Sequence, residues 1–242
     1  ARSAIRPKKD RPVIAMTSLG KSCLSYMVEL KPQLEKRGYE VVVFHTTGMG
    51  GRAMESMAAQ RGFAAILDLS LQEVANQLTG SVVNSGADRL ENAGKAGIPQ
   101  IVAPGAIDMV DFPTWQPIPG DLVGRPFHAH NRLLASATSR PDDRRRIARS
   151  IAGKLSLAQA PVAFVLPAGG IQQWDREGEA LHDPEGLSAF VNEMRAAIKP
   201  PVELHEIHGH INSPAFVETV LGIFDRWVKA GIVPAGQTSV AA

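Results

Sequence analysis

The sequence has a single cysteine, Cys23, so it can build no internal disulfide framework. That shortage fits a reducing compartment and makes the cytoplasm the natural expectation. No apolar run approaches the length of a membrane span, and the opening segment "ARSAIRPKKDRP" lacks the apolar stretch of a secretory signal. Excess charge is missing too. Twenty-six basic and 24 acidic residues leave a formal charge of +2, which gives no global field for nucleic acid or an anionic membrane, so any anion site has to be local. Repeats, low-complexity tracts and a G-x-S-x-G nucleophile elbow are also lacking. What is present is 242 residues, 44% of them hydrophobic, enough to bury a sizeable core. The basic start reads as a linker over residues 1–12, which leads us to expect the second half of something longer. A single domain is expected over residues 13–232 and a flexible tail over 233–242.

Short β-branched runs alternate with helical patterns: "PVIAM", an amphipathic stretch from Ser22, "EVVVF", a helix from about Gly51, and "AAILDL". The rhythm continues with a helix opened by a capping box, Ser70 to Glu73, then "SVVNSG", a helix from Asp88, "QIVAPG", "VAFVLP" and "VELHEI". Asp183-Pro184 and Ser213-Pro214 mark two late helix starts. Near-continuous apolar strands imply burial on both faces. The expected class is therefore α/β, a doubly wound, Rossmann-like and mostly parallel sheet of six or seven strands with helices on both sides. Residues 105–140 read as a long irregular stretch.

In such a sheet the strand ends share one edge, where ligands bind. Six strand ends here carry polar or small residues: Thr17 to Ser22, His45 to Arg52, Asn84 to Asp88, Pro104 to Asp108, Pro167 to Gln172 and His208 to Asn212. The richest is "VFHTTGMGGRAMES". It fits the dinucleotide pattern G-x-G-x-x-A from Gly48, with Asp68 ending the next strand, but His45-Thr46-Thr47 intervenes between strand and turn. What remains is an anion cradle: glycines admit a close approach, helix-start N–H groups hold the charge, and Arg52 balances it. The alternative is a tight turn needing positive φ at Gly48 and Gly50. "AMTSLGKS" approximates a phosphate loop with Lys21 on phosphate and Ser22 on magnesium, although short degenerate patterns recur by chance. The pairs His128/His130 and His208/His210 invite a metal-dependent hydrolase, but no carboxylate stands at a signature spacing, and structural histidines are the simpler reading. Cys23 reads as core packing, and "RPDDRRRIAR" as a solvated helix face.

Together "LEKRGYEVVVFHTTGMGGRAMESMAAQRGFAAILDLSLQEVA", "GADRLENAGKAGIPQIVAPGAIDMVDFP", "HAHNRLLASATSRPDDRRRIARSIAGKL", "FVLPAGGIQQWDREGEALHDPEG" and "HINSPAF" resemble the ATP-binding family that includes the inhibitory domain of the tomato mosaic virus resistance protein and many uncharacterised bacterial members. The resemblance runs from about Arg11 to Phe224 and covers only the second of two α/β subdomains. It implies ATP with magnesium as cofactor, resting in part or wholly on the absent half. Gly48, Gly50, Gly51, Arg52, Glu55, Asp108, Gly170 and Asp175 match the family's blocks; His128, His208 and the Gly-Lys-Ser of the first turn depart from them.

The residues expected to bind a ligand are Thr46, Thr47, Gly48, Gly50, Gly51, Arg52, Glu55, Asn84, Ser85, Gly105, Gly169 and Gly170, with no metal ligand assigned. The expected partners are a small anionic ligand and either the first α/β subdomain or a second copy of the chain, with neither nucleic acid nor membrane. A catalytic role is left open; an inhibitory interaction module is the alternative that the plant relative implies.

Overall fold

The computed structural model describes residues 11–237. The first half of the chain forms β1 (Val13–Ser18), α1 (Ser25–Lys36), β2 (Glu40–His45), α2 (Met49–Ala59), β3 (Ala65–Ser70), α3 (Gln72–Thr79), α4 (Asn92–Lys95) and β4 (Gln100–Gly105). There follow β5 (Met109–Pro113), β6 (Phe127–Ala129), β7 (Leu134–Thr138), α5 (Pro141–Leu155), β8 (Val162–Pro167), α6 (Pro184–Ala197), β9 (Glu203–Ile207) and α7 (Pro214–Lys229). Six strands make one sheet in the order β2-β1-β3-β4-β8-β9, parallel at every pairing. The expected α/β class with helices on both faces is what the chain adopts.

Alternation along each strand explains the burial on both sides. Ile14 and Met16 of β1 face α1 and α7, where Leu30, Leu34, Phe216, Val220, Phe224 and Trp227 pack. Val13 and Ala15 face α2 with Phe44, Met54 and Ala58. Further along the sheet, Val102, Phe164 and Leu166 meet Ile147, Ile151, Phe190 and Met194 of α5 and α6. Helices α6 and α7 start where expected: Asp183 accepts from Gly186 N and Ser213 from Phe216 N, each before a proline at the first helical position.

Several expectations are corrected. Residues 105–140 are not irregular; they carry a second, antiparallel sheet of order β5-β7-β6 with a small core of its own, Val110, Phe112, Leu122, Ala135 and Ala137. "SVVNSG" is no strand and Asp88 opens only turns before the four-residue α4. Ser70 to Glu73 is no capping box: Ser70 ends β3 with its hydroxyl 2.9 Å from that of Thr46, and α3 starts without a side-chain cap. At the C-terminus, residues 233–237 pack on the domain: Val233 is fully buried, Tyr39 Oη donates to Pro234 O and Gln237 N to Gly38 O. Residues 1–10 of the expected linker and 238–242 of the expected tail lie outside the described residues. Among the described residues no helix is long and apolar enough to cross a membrane.

One buried cation fixes the β2 and β3 end of the sheet. Arg89, 1% exposed, donates to both oxygens of Asp68 (2.5 and 2.7 Å), to Glu73 Oε2 (2.9 Å) and to Glu55 Oε1 (3.3 Å). Three carboxylates thus face one guanidinium, and backbone and hydroxyl donors neutralise the remainder. Glu73 Oε1 accepts from Gly48 N (2.6 Å) and Gly51 N (3.1 Å); Glu55 accepts from Leu90 N and Asn92 N; Thr17 Oγ1 donates to Asp68 Oδ1. Burial pulls the guanidinium pKa down, but Asp68 and then Glu73 and Glu55 outweigh it and leave it above its usual value. Glu55 is pushed up by burial, against the pull of Arg89. The approach is so close that a Cβ on Gly51 would lie 1.7 Å from Glu73 Oε2.

Removing one member of a buried ion cluster leaves the others uncompensated, which costs about 3–5 kcal/mol. Arg89→Met is therefore expected to lower the unfolding free energy by about that amount in chemical denaturation, far more than Arg145→Met on the exposed face of α5. Equal effects of the two substitutions would refute the role given to Arg89.

Candidate functional site

Strand order reverses at β1: β2 lies on one side of it and β3 on the other, so their carboxyl ends flank the crevice where doubly wound sheets take ligands. The turn after β1 supplies Leu19, Gly20, Lys21 and Ser22, the end of β2 supplies His45 and Thr47, and the start of α3 supplies Gln72. The antiparallel sheet closes over them. Asp111 of β5, His128 and Ala129 of β6, His130, Asn131 and Leu134 line the opposite wall, with Trp174 at the side. The half-open cavity between them measures about 520 Å³, within the range of small-molecule sites.

Asp111, 3% exposed, organises the floor. Its Oδ2 accepts from Gln72 Nε2 (2.7 Å) and Asn76 Nδ2 (3.0 Å), its Oδ1 accepts from the Ser136 hydroxyl, and its N donates to Asn76 Oδ1 (3.1 Å). His130 Nε2 lies 2.7 Å from Ser136 Oγ. Burial raises Asp111 to about 6 against these three side-chain donors, and burial lowers His130 to about 4. His128, also held down by burial, stacks on Trp174 with centroids 4.0 Å apart. At neutral pH His128 and His130 are uncharged, and Lys21 lines the same cavity.

The expected ligand residues divide into groups. Thr47 lines the cavity, but Thr46 is buried beneath it, donating to Ser18 O and paired with Ser70. The glycine turn expected to cradle a ligand's anion is filled by the chain's own Glu73, which takes the N–H groups of Gly48 and Gly51. Gly50 lies against the β2 end, where a Cβ would be 1.9 Å from His45 O. Arg52 points away from the cavity; with Glu55 and Ser85 it borders a separate cleft of about 360 Å³ that also includes Asp88 and Asn92, and its Nε donates to Ser85 O (3.3 Å). Asn84 backs Gly48, its carbonyl oxygen 3.0 Å from where a Cβ would sit. Gly105 packs on Leu69 O and Cys23, while Gly169 and Gly170 pack on the loop after β9, where Gly170 (φ +134°) adjoins His210 and Asp175.

The phosphate-loop pattern does not close around an anion. Residues 20–23 form turns, α1 starts only at Ser25, and Asp68 on the neighbouring β3 is engaged by Arg89 and Thr17. Neither histidine pair gathers a metal set: His210 Nε2 bonds Gln172 O and Asp175 Oδ1, and no group of three His, Cys, Asp or Glu side chains positioned for a metal occurs among the described residues. Cys23 is buried, with burial and then Asp108 pushing its thiol pKa up, which suits packing rather than reactivity. Asp108, raised to about 6 by burial, accepts from Gln172 below the cavity. Gln72, Asp111, Ser136 and Trp174 were missed as site residues because their convergence depends on the antiparallel sheet, whose strands are too short to announce themselves.

The chain is similar to a UPF0261 protein of Brucella melitensis, 58% identical over 97% of this chain and 56% of that one. A UPF0261 protein of Clostridium tetani is 34% identical over 86% of this chain and 52% of its own length. The ToMV resistance protein Tm-1 of Solanum lycopersicum is 31% identical over 81% of this chain and 26% of its own. The chain thus spans about half the length of the bacterial relatives it matches. A crystal structure of the pyrethroid hydrolase PytH aligns over 90% of this chain and 99% of its own at 13% identity with a TM-score of 0.43, too loose a likeness to bear on function. Residues 11–228 match a single family description from end to end: the chain belongs to the uncharacterised protein family UPF0261, as its C-terminal domain.

Proposed function

We propose that this domain binds a small anionic organic molecule, phosphate- or carboxylate-bearing, in the cleft between the carboxyl edge of the parallel sheet and the antiparallel sheet above it. The observation that carries the reading is the cavity at the β1 switch point, where Lys21, His45 and Thr47 stand at one side and the Asp111 network at the other. Lys21 supplies the charge, Thr47 a hydroxyl and His45 a ring nitrogen; a ligand held between them is oriented by charge-assisted contacts. ATP with magnesium, the cofactor that the resemblance implies, we place across the junction with the preceding half of the protein. This half would contribute contacts to the phosphates, while magnesium would take its carboxylates from elsewhere, since Asp68 is committed to Arg89. The Arg52 cleft is the competing anion site.

A second reading, an interaction surface, is favoured by the apolar side chains on and beside the antiparallel sheet. Trp115, Val123 and Leu133 are each about two thirds exposed, and Phe127 is half exposed. Apolar groups gathered in this way mark contact surfaces more often than they mark free ones. We assign that surface to the other half of the UPF0261 protein, which would close the cleft from outside.

A thermal-shift screen of nucleotides, sugar phosphates and organic acids is expected to identify ligands that stabilise the protein by mass action. With any such ligand, Lys21→Ala should weaken binding about tenfold to more than a hundredfold, the loss of one charge-assisted contact, and Arg52→Ala should leave it unchanged. The reverse pattern would move the anion to the second cleft and overturn the reading. Co-expression with the preceding half of the Brucella melitensis relative should give a complex that Trp115→Ser with Leu133→Ser weakens at least about tenfold. A complex indifferent to that double substitution would locate the junction elsewhere.

A further inference from the structure

The hydrogen bonds around Asp111 fix not only side-chain positions but also which of their atoms are left without a proton. An ionised carboxylate only accepts, so Gln72 must turn its Nε2 toward Asp111, and its Oε1 is left without a partner although the residue is 1% exposed. Ser136, fully buried, gives its hydroxyl proton to Asp111 Oδ1, and its remaining lone pair faces His130 Nε2. His130 Nε2 therefore carries the proton, and Nδ1 is a bare acceptor. No hydrogen bond reaches that Nδ1 from the described residues, and burial keeps the imidazole neutral down to about pH 4. Asn76 donates one Nδ2 hydrogen to Asp111 Oδ2 and accepts from Asp111 N, and it makes no hydrogen bond to Gln72 Oε1. Two side chains lining one cavity thus each carry an acceptor without a partner among the described residues, and the buried one, Gln72 Oε1, calls for a donor.

We propose that the floor of the cleft, His130 Nδ1 and Gln72 Oε1, reads hydroxyl donors, so that the ligand is a hydroxylated organic anion: a sugar acid, a sugar phosphate or the ribose phosphate of a nucleotide. The proposal rests on the anion reading above and adds the chemistry of the ligand's other end. A hydroxyl suits the floor because it donates to a bare acceptor while its own lone pairs stay free for Thr47 or Lys21. A simple carboxylate would leave both acceptors unpaired. Asp111 and Ser136 are positioning residues here: they set the amide and the tautomer and do not touch the ligand. The indole of Trp174, with His128 stacked on it, closes the side.

The test is calorimetric titration with four probes: gluconate and ribose 5-phosphate, each against a counterpart whose carbon chain lacks hydroxyls, hexanoate for the acid and n-pentyl phosphate for the sugar phosphate. At least one hydroxylated probe is expected to bind at least about tenfold more tightly than its counterpart, the worth of one or more buried hydrogen bonds. Gln72→Met, of similar length and with no acceptor, should bring that preference to within about threefold, with some loss of thermal midpoint because Asp111 also loses a donor, and His130→Phe should do the same should the first variant be unstable. Equal affinities within both pairs overturn the donor-reading floor and leave the anion site standing. Binding of none of the four overturns both. A preference that survives both substitutions assigns the hydroxyl contacts to other residues and also overturns the proposal.

Discussion

The guanidinium of Arg89 is the point on which the carboxyl edge depends. It lies among three carboxylates drawn from α2, β3 and α3, and each of those carboxylates in turn holds something the site needs. Asp68 anchors Thr17 at the end of β1, Glu73 holds the turn after β2, and Glu55 holds the N–H groups of Leu90 and Asn92, with Leu90 in the left-handed region at φ +72°. A charge this deep is tolerated only when every partner is satisfied, so the cluster has one low-energy arrangement and transmits that uniqueness to the loops around the cleft.

Two buried carboxylates divide the work of the edge between them. Glu73 is surrounded by N–H donors and a cation and acts as a permanent occupant of the glycine turn. Asp111 has no cation against it among the described residues; hydroxyl and amide donors solvate it instead, and burial lifts its pKa to about 6. The first makes a loop rigid, the second aligns dipoles. Both uses exploit the same asymmetry, that a carboxylate accepts from several directions and donates in none while ionised.

The layered sheet was legible in the sequence because its strands are long apolar runs at regular intervals, and the two proline-opened helices because their caps are local. The glycine turn was legible as an anion cradle but not as an occupied one: nothing in "TTGMGGR" announces that Glu73, 22 residues beyond Gly51, reaches back into it. The same Glu73 misled the reading of the next helix, because Ser70-Leu-Gln-Glu73 satisfies a capping pattern while both of its polar ends are drawn away by tertiary partners. Gly105, Gly169 and Gly170 serve close packing of backbone loops, and a glycine in a strand-end turn carries the same letter whether a ligand or another loop approaches it. The floor of the cleft was invisible, since Gln72, Asp111, His130 and Ser136 converge only after a three-stranded excursion folds back.

That excursion leaves the parallel sheet after β4 and returns before α5, and its two stems meet where Ser139 N donates to Asp108 O at 2.7 Å. A segment clipped at its base has its closure entropy settled there, and extra length beyond the clip adds only a slowly growing logarithmic cost. The upper wall of the cleft can therefore lengthen, shorten or exchange side chains among relatives without disturbing the register of the six strands below. Divergence in what such proteins recognise is accordingly expected to accumulate in this removable upper storey, on a foundation that stays the same.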